Sequence, residues 1–91
     1  MKLPLSVSVI SYNEERIIEK MLESVFPIAD EIIILDSYSN DNTKEIAKKY
    51  GAKIFEKQWT DFVTHKNTSL NLCSNEWVLC LDCDEILTEK L

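Results

Sequence analysis

The most constraining feature of this sequence is a short apolar run that ends abruptly in acids. Residues 77–81 read Trp-Val-Leu-Cys-Leu, and Asp82, Asp84 and Glu85 follow almost at once. An apolar run of this length without polar alternation is typical of a strand covered on both faces, as in a parallel sheet. Open α/β sheets bind ligands beyond the carboxyl ends of their strands, so these acids occupy an expected ligand position.

The rest of the chain alternates between strand patterns and amphipathic helix patterns. We predict strands over residues 5–10, 32–35, 52–55 and 77–81, and helices over residues 14–25, 43–50 and about 60–74. This alternation predicts the α/β class, as a Rossmann-like, three-layer α/β/α domain with a mostly parallel sheet in the order 3-2-1-4. That order brings three polar clusters to one edge of the sheet, at residues 11–13, 36–37 and 82–85.

The helix ends carry recognisable signals. Asn13 and Thr60 are predicted N-caps, and Asn42 with Glu45 has the spacing of a capping box. The only glycine, Gly51, is expected in a left-handed conformation after the second helix.

The third predicted helix has an irregular apolar face. Its members are Phe62, Val63, Lys66, Leu70 and Cys73. Lys66 fits there either as a side chain that extends its ammonium to solvent or as an anion binder. His65, the single histidine, is interpreted as a surface residue of this helix rather than a catalytic one.

Composition narrows the possible partners. The chain has 91 residues, which fits one domain, and its formal net charge of −6 argues against a nucleic-acid or anionic-membrane surface. A phosphate-bearing ligand stays compatible, because a divalent cation held by carboxylates reverses the local charge. The odd number of cysteines, three, favours reduced thiols in the cytoplasm over disulfides. The apolar N-terminus is too short for a membrane span. The spacing of Cys80 and Cys83 matches no usual zinc site.

Asp82 and Asp84 are candidate ligands of a hard divalent cation such as Mg²⁺ or Mn²⁺. Such an ion usually completes its coordination with phosphate oxygens, which favours a nucleotide diphosphate or another phosphorylated ligand; the alternative is an ordinary solvated turn. Asp36 also has two interpretations. It either caps the turn that follows the second strand or accepts a hydrogen bond from the imide N–H of a base.

Four segments of the sequence carry a family resemblance, namely residues 6–15, 29–43, 66–67 and 76–85. They closely resemble the N-terminal half of family 2 glycosyltransferases of GT-A type, in the branch that builds bacterial lipopolysaccharide core and related surface glycans. The resemblance implies transfer from a nucleotide-diphosphate sugar, usually a uridine diphosphate (UDP) sugar, to a glycan or lipid-linked acceptor. It also implies Mg²⁺ or Mn²⁺, and a cytoplasmic location that includes peripheral attachment to the inner membrane.

The same resemblance implies roles for individual residues near the base. Ser11, Tyr12 and Asn13 would line the base pocket, and Asp36 would contact uracil. The general base of inverting members lies well downstream, so no catalytic residue is assigned in this chain. We therefore expect residues 1–91 to be the nucleotide-sugar-binding part of a truncated GT-A domain that binds nucleotide weakly and does not transfer sugar alone.

Near the diphosphate, the resemblance places Lys66 beside the nucleotide, Asp82 at the ribose or the metal, and Asp84 on the metal that bridges the phosphates. Glu85 is a supporting group. A truncated sheet would leave apolar surface uncovered, so self-association of the chain is expected.

Two other classes compete with this interpretation. A haloacid-dehalogenase-like phosphatase also has an apolar strand followed by Asp-x-Asp, but its motif lies near the start of the chain and continues with Gly-Thr, where this chain has Glu85-Ile86. The second competing class is a small non-enzymatic α/β domain that binds nucleotide or metal or acts in signalling. A receiver-like domain needs an acidic pair after the first strand, where this chain has Ser11-Tyr12.

Overall fold

The structure, a computed structural model, describes residues 3–82. Its elements are β1 (Leu3–Ser11), α1 (Ile18–Val25), β2 (Ala29–Asp36), α2 (Thr43–Lys49), β3 (Lys53–Glu56), α3 (Phe62–Asn71) and β4 (Trp77–Leu81). All strand pairs are parallel and the order is β3-β2-β1-β4, which confirms the predicted fold class and strand order. In this described range, none of the helices has the length and apolar character that crossing a membrane requires.

One face of the sheet carries the apolar core. Alternate residues of β1 and β2 are directed to this face, where α1 and α2 cover them. The core consists of Val7, Val9, Ile18, Met21, Leu22, Val25, Ala29, Ile32, Ile34 and Ala47. Full burial of one such large aliphatic side chain contributes about 1.5–3 kcal/mol. The core therefore fixes β1 and β2 in register, and with them the two strand ends that carry the site.

The opposite face of the sheet carries buried hydroxyls together with the buried side chains of Ile33 and Leu35, and α3 packs on this face. The hydroxyl of Ser8 forms a hydrogen bond with that of Ser69, and His65 is fully buried. Phe62 and Val63 are instead 52% and 66% exposed, so the predicted apolar face of α3 is wrong, as is the surface position of His65. The reason is that buried hydroxyls of the sheet need hydrogen-bond partners, which the polar side of the helix supplies.

A buried carboxylate ties the connection between α3 and β4 to the amino-terminal edge of the sheet. Glu31 accepts hydrogen bonds from Ser6 Oγ (2.8 Å), Lys53 Nζ (2.9 Å), Ser74 N (2.7 Å) and Ser74 Oγ (3.0 Å). Burial alone would raise the pKa of Glu31, but these hydrogen bonds outweigh it and lower the pKa from 4.5 to about 2. The carboxylate therefore stays ionised and stabilises this edge over most of the pH range.

The capping residues differ from those predicted for α2 and α3. Asp41 rather than Asn42 accepts the first N–H of α2, at 3.0 Å, and no side-chain cap bond involves Asn42. Asp61 rather than Thr60 caps α3 and accepts a backbone N–H at 2.7 Å. A carboxylate is the stronger acceptor, which explains both shifts by one position. Gly51 has φ of 74°, as predicted for the residue after α2.

Candidate functional site

The loops that follow β1 and β2 are joined by hydrogen bonds at the carboxyl edge of the sheet. Side chains of the second loop accept from backbone N–H groups of the first. The pairs are Ser39 Oγ with Asn13 N (2.8 Å), Thr43 Oγ1 with Glu14 N (2.8 Å) and Asp41 Oδ2 with Glu15 N (3.3 Å). These contacts hold Asn13 in a left-handed conformation with φ of 51° rather than in an N-cap conformation. The helix α1 begins only at Ile18, so the predicted start near Glu14 with Asn13 as N-cap is wrong.

The first loop also holds the second. Asn13 Oδ1 accepts from Asn40 N at 2.8 Å, and Glu15 Oε2 accepts from Asn42 N at 3.2 Å. The Ser37 N–H donates to the Ser11 carbonyl oxygen at 2.9 Å. Two of the three predicted polar clusters therefore converge, and together the loops form one preorganised unit.

Asp36 lies at the centre of this unit. Its side chain has no exposed surface. Oδ1 accepts from Ser11 Oγ (2.7 Å) and Ser39 Oγ (2.6 Å), and Oδ2 accepts from Ser39 N (2.7 Å). Asp36 therefore caps the turn after β2, as one of its two interpretations stated, and a direct contact with a base would require one of these hydrogen bonds to be exchanged.

Two residues of these loops adopt a left-handed backbone conformation. Asn13 has φ of 51° and Tyr38 has φ of 56°. This conformation is unfavourable for residues other than glycine by about 1–2 kcal/mol, so the surrounding hydrogen bonds must hold it. Backbone strain of this kind concentrates at functional sites. At Tyr38 the effect is to present the ring, which is 55% exposed, beside the carboxyl edge of the sheet.

An aromatic pocket opens at this edge. It has a volume of about 640 Å³ and is lined by Tyr12, Ser37, Tyr38, Gln58 and Trp59. Its three aromatic rings are about half exposed, at 53% for Tyr12, 55% for Tyr38 and 51% for Trp59. The volume is in the range of small-molecule sites, and the lining combines flat rings with a few polar groups. Such a pocket is suited to a flat heterocyclic ring.

His65 contacts Ser37 and Trp59, which line two sides of the aromatic pocket. Its Nε2 lies 3.0 Å from Ser37 Oγ and 3.3 Å from the Lys57 carbonyl oxygen. Its ring centroid lies 4.7 Å from that of Trp59, at an interplanar angle of 42°. His65 Nδ1 is buried and has no hydrogen-bond partner among the described residues, which costs about 1–3 kcal/mol.

A second, smaller cavity lies at the end of β4. It has a volume of about 90 Å³ and is lined by Ser8, Ile10, Phe62, Lys66, Cys80, Leu81 and Asp82. Lys66 Nζ lies 5.5 Å from the centroid of the Phe62 ring. Lys66 of α3 and Asp82, which follows β4, both line this cavity. One positive and one negative group here can orient a charged ligand.

The donor set at the end of β4 fits a hard divalent cation in part. Asp82 is exposed at the carboxyl edge and supplies one carboxylate. Asp84, the principal predicted metal ligand, lies outside the described residues, as does Glu85. No cluster of three or more metal-ligating side chains occurs within residues 3–82. Within the described residues, Asp82 is thus the one predicted metal ligand that the structure places, and a metal site here stays a prediction.

The predicted nucleotide-binding residues divide into three groups. Tyr12 lines the aromatic pocket, and Lys66 with Asp82 lines the smaller cavity. The others, Ser11, Asn13 and Asp36, hold the loops together. Which of them contact a ligand stays a prediction.

Sequence reasoning missed three residues of the aromatic pocket: Tyr38, Gln58 and Trp59. Tyr38 lies two residues after Asp36, the acid that ends β2, and that position is a usable signal. The pattern gives no comparable signal for Trp59, because its place depends on how the connection between β3 and α3 folds back over His65.

Fold and site together define a class: a Rossmann-like α/β domain with a preorganised aromatic pocket and an acidic strand end at the carboxyl edge of a parallel sheet. Comparison with known proteins narrows this class. The family model described as glycosyl transferase family 2 matches residues 6–91. The chain belongs to glycosyl transferase family 2, and this membership argues against the phosphatase and signalling alternatives.

Curated relatives and solved structures agree with this membership. An uncharacterised glycosyltransferase of Rickettsia typhi is 41% identical over 87 residues, which cover 96% of this chain and 30% of that protein. The glycosyltransferase SunS of Bacillus subtilis is 34% identical over 89 residues, covering 94% of this chain and 21% of SunS. This chain thus spans about a third or less of these relatives.

Among solved structures, glucosyl-3-phosphoglycerate synthase of Mycobacterium tuberculosis in complex with UDP superimposes with a TM-score of 0.78 at 30% identity, covering 90% of this chain and 34% of that one. Residues 1–349 of TarS from S. aureus in complex with UDP give a TM-score of 0.71 at 28% identity, covering 90% and 28%. The mycobacterial enzyme has also been solved with UDP together with Mn²⁺ or Mg²⁺. Both neighbours confirm a fold of the GT-A glycosyltransferase type.

Proposed function

We propose that this chain is the donor-binding part of a glycosyltransferase and that it binds the nucleotide of a UDP-sugar at the carboxyl edge of its sheet. The observation that carries the proposal is the aromatic pocket beside the turn held by Asp36. Solved relatives of the same fold are described as UDP complexes. This supports uracil as the base that enters the pocket.

In this proposal the base stacks against the exposed rings of Tyr12, Tyr38 and Trp59. Stacking on aromatic side chains contributes about 1–3 kcal/mol per base. Ser11, Asn13 and Asp36 hold the loops so that the rings are in place before the ligand arrives, which lowers the ordering cost of binding. A direct contact between Asp36 and uracil would come at the expense of its hydrogen bond with Ser39.

The diphosphate then extends toward the end of β4. The ammonium of Lys66 neutralises phosphate charge, and Asp82 with Asp84 would hold a Mg²⁺ or Mn²⁺ ion. When bound, such an ion supplies Lewis-acid stabilisation of the departing diphosphate. Lys66 and Asp82 face the same small cavity, which supports a diphosphate position there.

The whole enzyme would transfer the sugar to a surface-glycan or lipopolysaccharide-type acceptor, including lipid-linked ones. Its proposed location is the cytoplasm or the cytoplasmic face of the inner membrane. No residue of this chain is assigned as the general base. We propose that residues 1–91 alone bind donor nucleotide but do not transfer sugar.

Calorimetry with UDP, with and without Mn²⁺, tests this function. We expect metal-dependent binding by the purified chain that is lost in Asp84→Asn and retained in the neighbouring control Cys83→Ser. Ligand at a hundred times its Kd should also stabilise the fold by about 2.7 kcal/mol. Absence of UDP binding with and without metal would overturn the proposal. Covalent phosphorylation of Asp82 by a phosphoryl donor would instead support the phosphatase alternative.

A further inference from the structure

We propose that His65 is a positioning residue for the nucleotide pocket and that it fixes two of the pocket walls, Ser37 and the segment that ends in Trp59. This inference rests on the proposed function, because it assigns His65 a role in nucleotide affinity. His65 is fully buried and belongs to α3, so it is not a ligand contact itself.

The hydrogen bonds of Nε2 connect the loop after β2 with the loop after β3. Nε2 lies 3.0 Å from Ser37 Oγ, after β2, and 3.3 Å from the Lys57 carbonyl oxygen, after β3. A carbonyl oxygen can only accept, so we place the proton on Nε2, whose single N–H is shared between the Lys57 carbonyl oxygen and Ser37 Oγ. The Lys57 N–H also donates to the Asp36 carbonyl oxygen at 2.9 Å. His65 thus fastens the start of the segment that carries Gln58 and Trp59 to the end of β2.

The imidazole ring also contacts the segment that carries Gln58 and Trp59 through ring packing. The Trp59 ring rests against it at 4.7 Å between centroids, while 51% of Trp59 stays exposed. The exposed part of Trp59 lines the aromatic pocket, as does Ser37. Movement of His65 would therefore displace two pocket walls together.

The buried Nδ1 shows that packing alone does not explain a histidine here. It has no hydrogen-bond partner among the described residues. An apolar side chain of similar size would fill the same space without burying an unpaired nitrogen. The contacts of Nε2 are what distinguish histidine from such a side chain, and both of them hold pocket segments.

Two substitutions separate the hydrogen bonds of His65 from its ring. His65→Gln can keep a donor near the position of Nε2, whereas His65→Phe keeps a flat ring and loses both hydrogen bonds. Both are made in a Trp77→Phe background, which leaves Trp59 as the only tryptophan. The readouts are UDP affinity at a temperature where each variant is folded, the melting temperature, and the fluorescence anisotropy decay of Trp59 without ligand.

We expect His65→Phe to bind UDP about tenfold more weakly and His65→Gln to stay within about threefold of the parent. We also expect a fast depolarisation component of Trp59 in the Phe variant only. If the Phe variant does not fold, His65→Leu is compared with His65→Gln instead, because both side chains lack a ring and only Gln keeps a donor.

Two results would overturn the inference. One is a Trp59 as rigid in the Phe variant as in the parent. The other is an equal loss of affinity in both variants that follows their loss of melting temperature, which would indicate a purely structural role. If the parent chain itself fails to bind UDP, the proposed function fails, and the ligand-free anisotropy comparison still decides whether His65 positions Trp59.

Discussion

At the scale of single residues, buried polar side chains determine the shape of the site. The buried side chains of Asp36 and Ser39 connect the loops after β1 and β2: Asp36 Oδ1 accepts from Ser11 Oγ at 2.7 Å, and Ser39 Oγ accepts from Asn13 N at 2.8 Å. In a low-dielectric setting each lost partner leaves a buried group unsatisfied, so these contacts are sensitive to substitution. This sensitivity allows the holding role of Asp36 to be separated from a direct role in binding.

Asp36→Asn should lower the free energy of unfolding by about 1–3 kcal/mol, because one buried hydrogen bond loses its charged acceptor and an amide N–H₂ must face Ser39 or Ser11. Ser39→Ala is the comparison variant, since it keeps the carboxylate of Asp36 but removes the Ser39 hydroxyl that donates to it and that accepts from the Asn13 N–H. Urea denaturation gives the stability of each variant, and calorimetry gives its UDP affinity.

If Asp36 acts only through the turn, both variants should lose UDP affinity in proportion to their loss of stability. A much larger loss of affinity in Asp36→Asn would show direct contact with the base. Full stability of Asp36→Asn would contradict the holding role itself.

Trp59→Ala should weaken UDP binding by about 1–3 kcal/mol, the range for loss of one base-stacking partner. Trp77→Ala is the control, because Trp77 is 72% exposed and begins β4 at the amino-terminal edge of the sheet. Calorimetry of both variants makes the comparison. Equal UDP affinities of the two variants would show that Trp59 does not stack against the base.

At the scale of secondary-structure elements, the strands and their order were predictable and the face of α3 was not. The apolar run of β2 has no polar alternation, so its burial could be inferred locally. The same pattern in β4 is not matched by burial among the described residues, where Trp77 is exposed and the rest of the strand is half-buried. The side of α3 that faces the sheet depends on Ser8 and Ser37, which lie far away in the sequence. The start of α1 was not predictable either, because hydrogen bonds with a different loop hold Asn13 in a left-handed conformation.

The attachment of the connection between α3 and β4 to the amino-terminal edge of the sheet should depend on pH through Glu31. Its pKa is lowered from 4.5 to about 2 in the folded chain, so its contribution to stability is present above about pH 4.5 and is lost as pH falls toward 2. Glu31→Gln should lower the free energy of unfolding by about 1–3 kcal/mol at pH 7.

The difference in stability between the parent and Glu31→Gln should therefore shrink between about pH 4.5 and pH 2. Urea denaturation across this range measures it, with the exposed Glu45→Gln of α2 as control. A difference that does not change with pH would show that the charge of Glu31 contributes nothing.

At the scale of the whole molecule, the sheet leaves apolar surface uncovered. Among the described residues β4 pairs only with β1, and Trp77 of β4 and Val63 of α3 are 72% and 66% exposed. We predict concentration-dependent self-association of the isolated chain through this side. Trp77→Lys should shift the chain toward monomer, whereas Lys48→Ala, on the exposed side of α2, should not. Light scattering after size exclusion checks this, and a clean parent monomer at high concentration would contradict it.

The proposed binding of a sugar donor's nucleotide at the carboxyl edge of the sheet can be tested by amide nuclear magnetic resonance during a UDP titration with Mg²⁺. We expect the largest chemical-shift changes at Tyr12, at residues 37–39, and at the backbone and indole N–H of Trp59. Residues around Glu31 and Lys53, at the other edge, should not shift. Chemical-shift changes centred on the amino-terminal edge, or no changes at saturating UDP, would contradict nucleotide binding at the carboxyl edge.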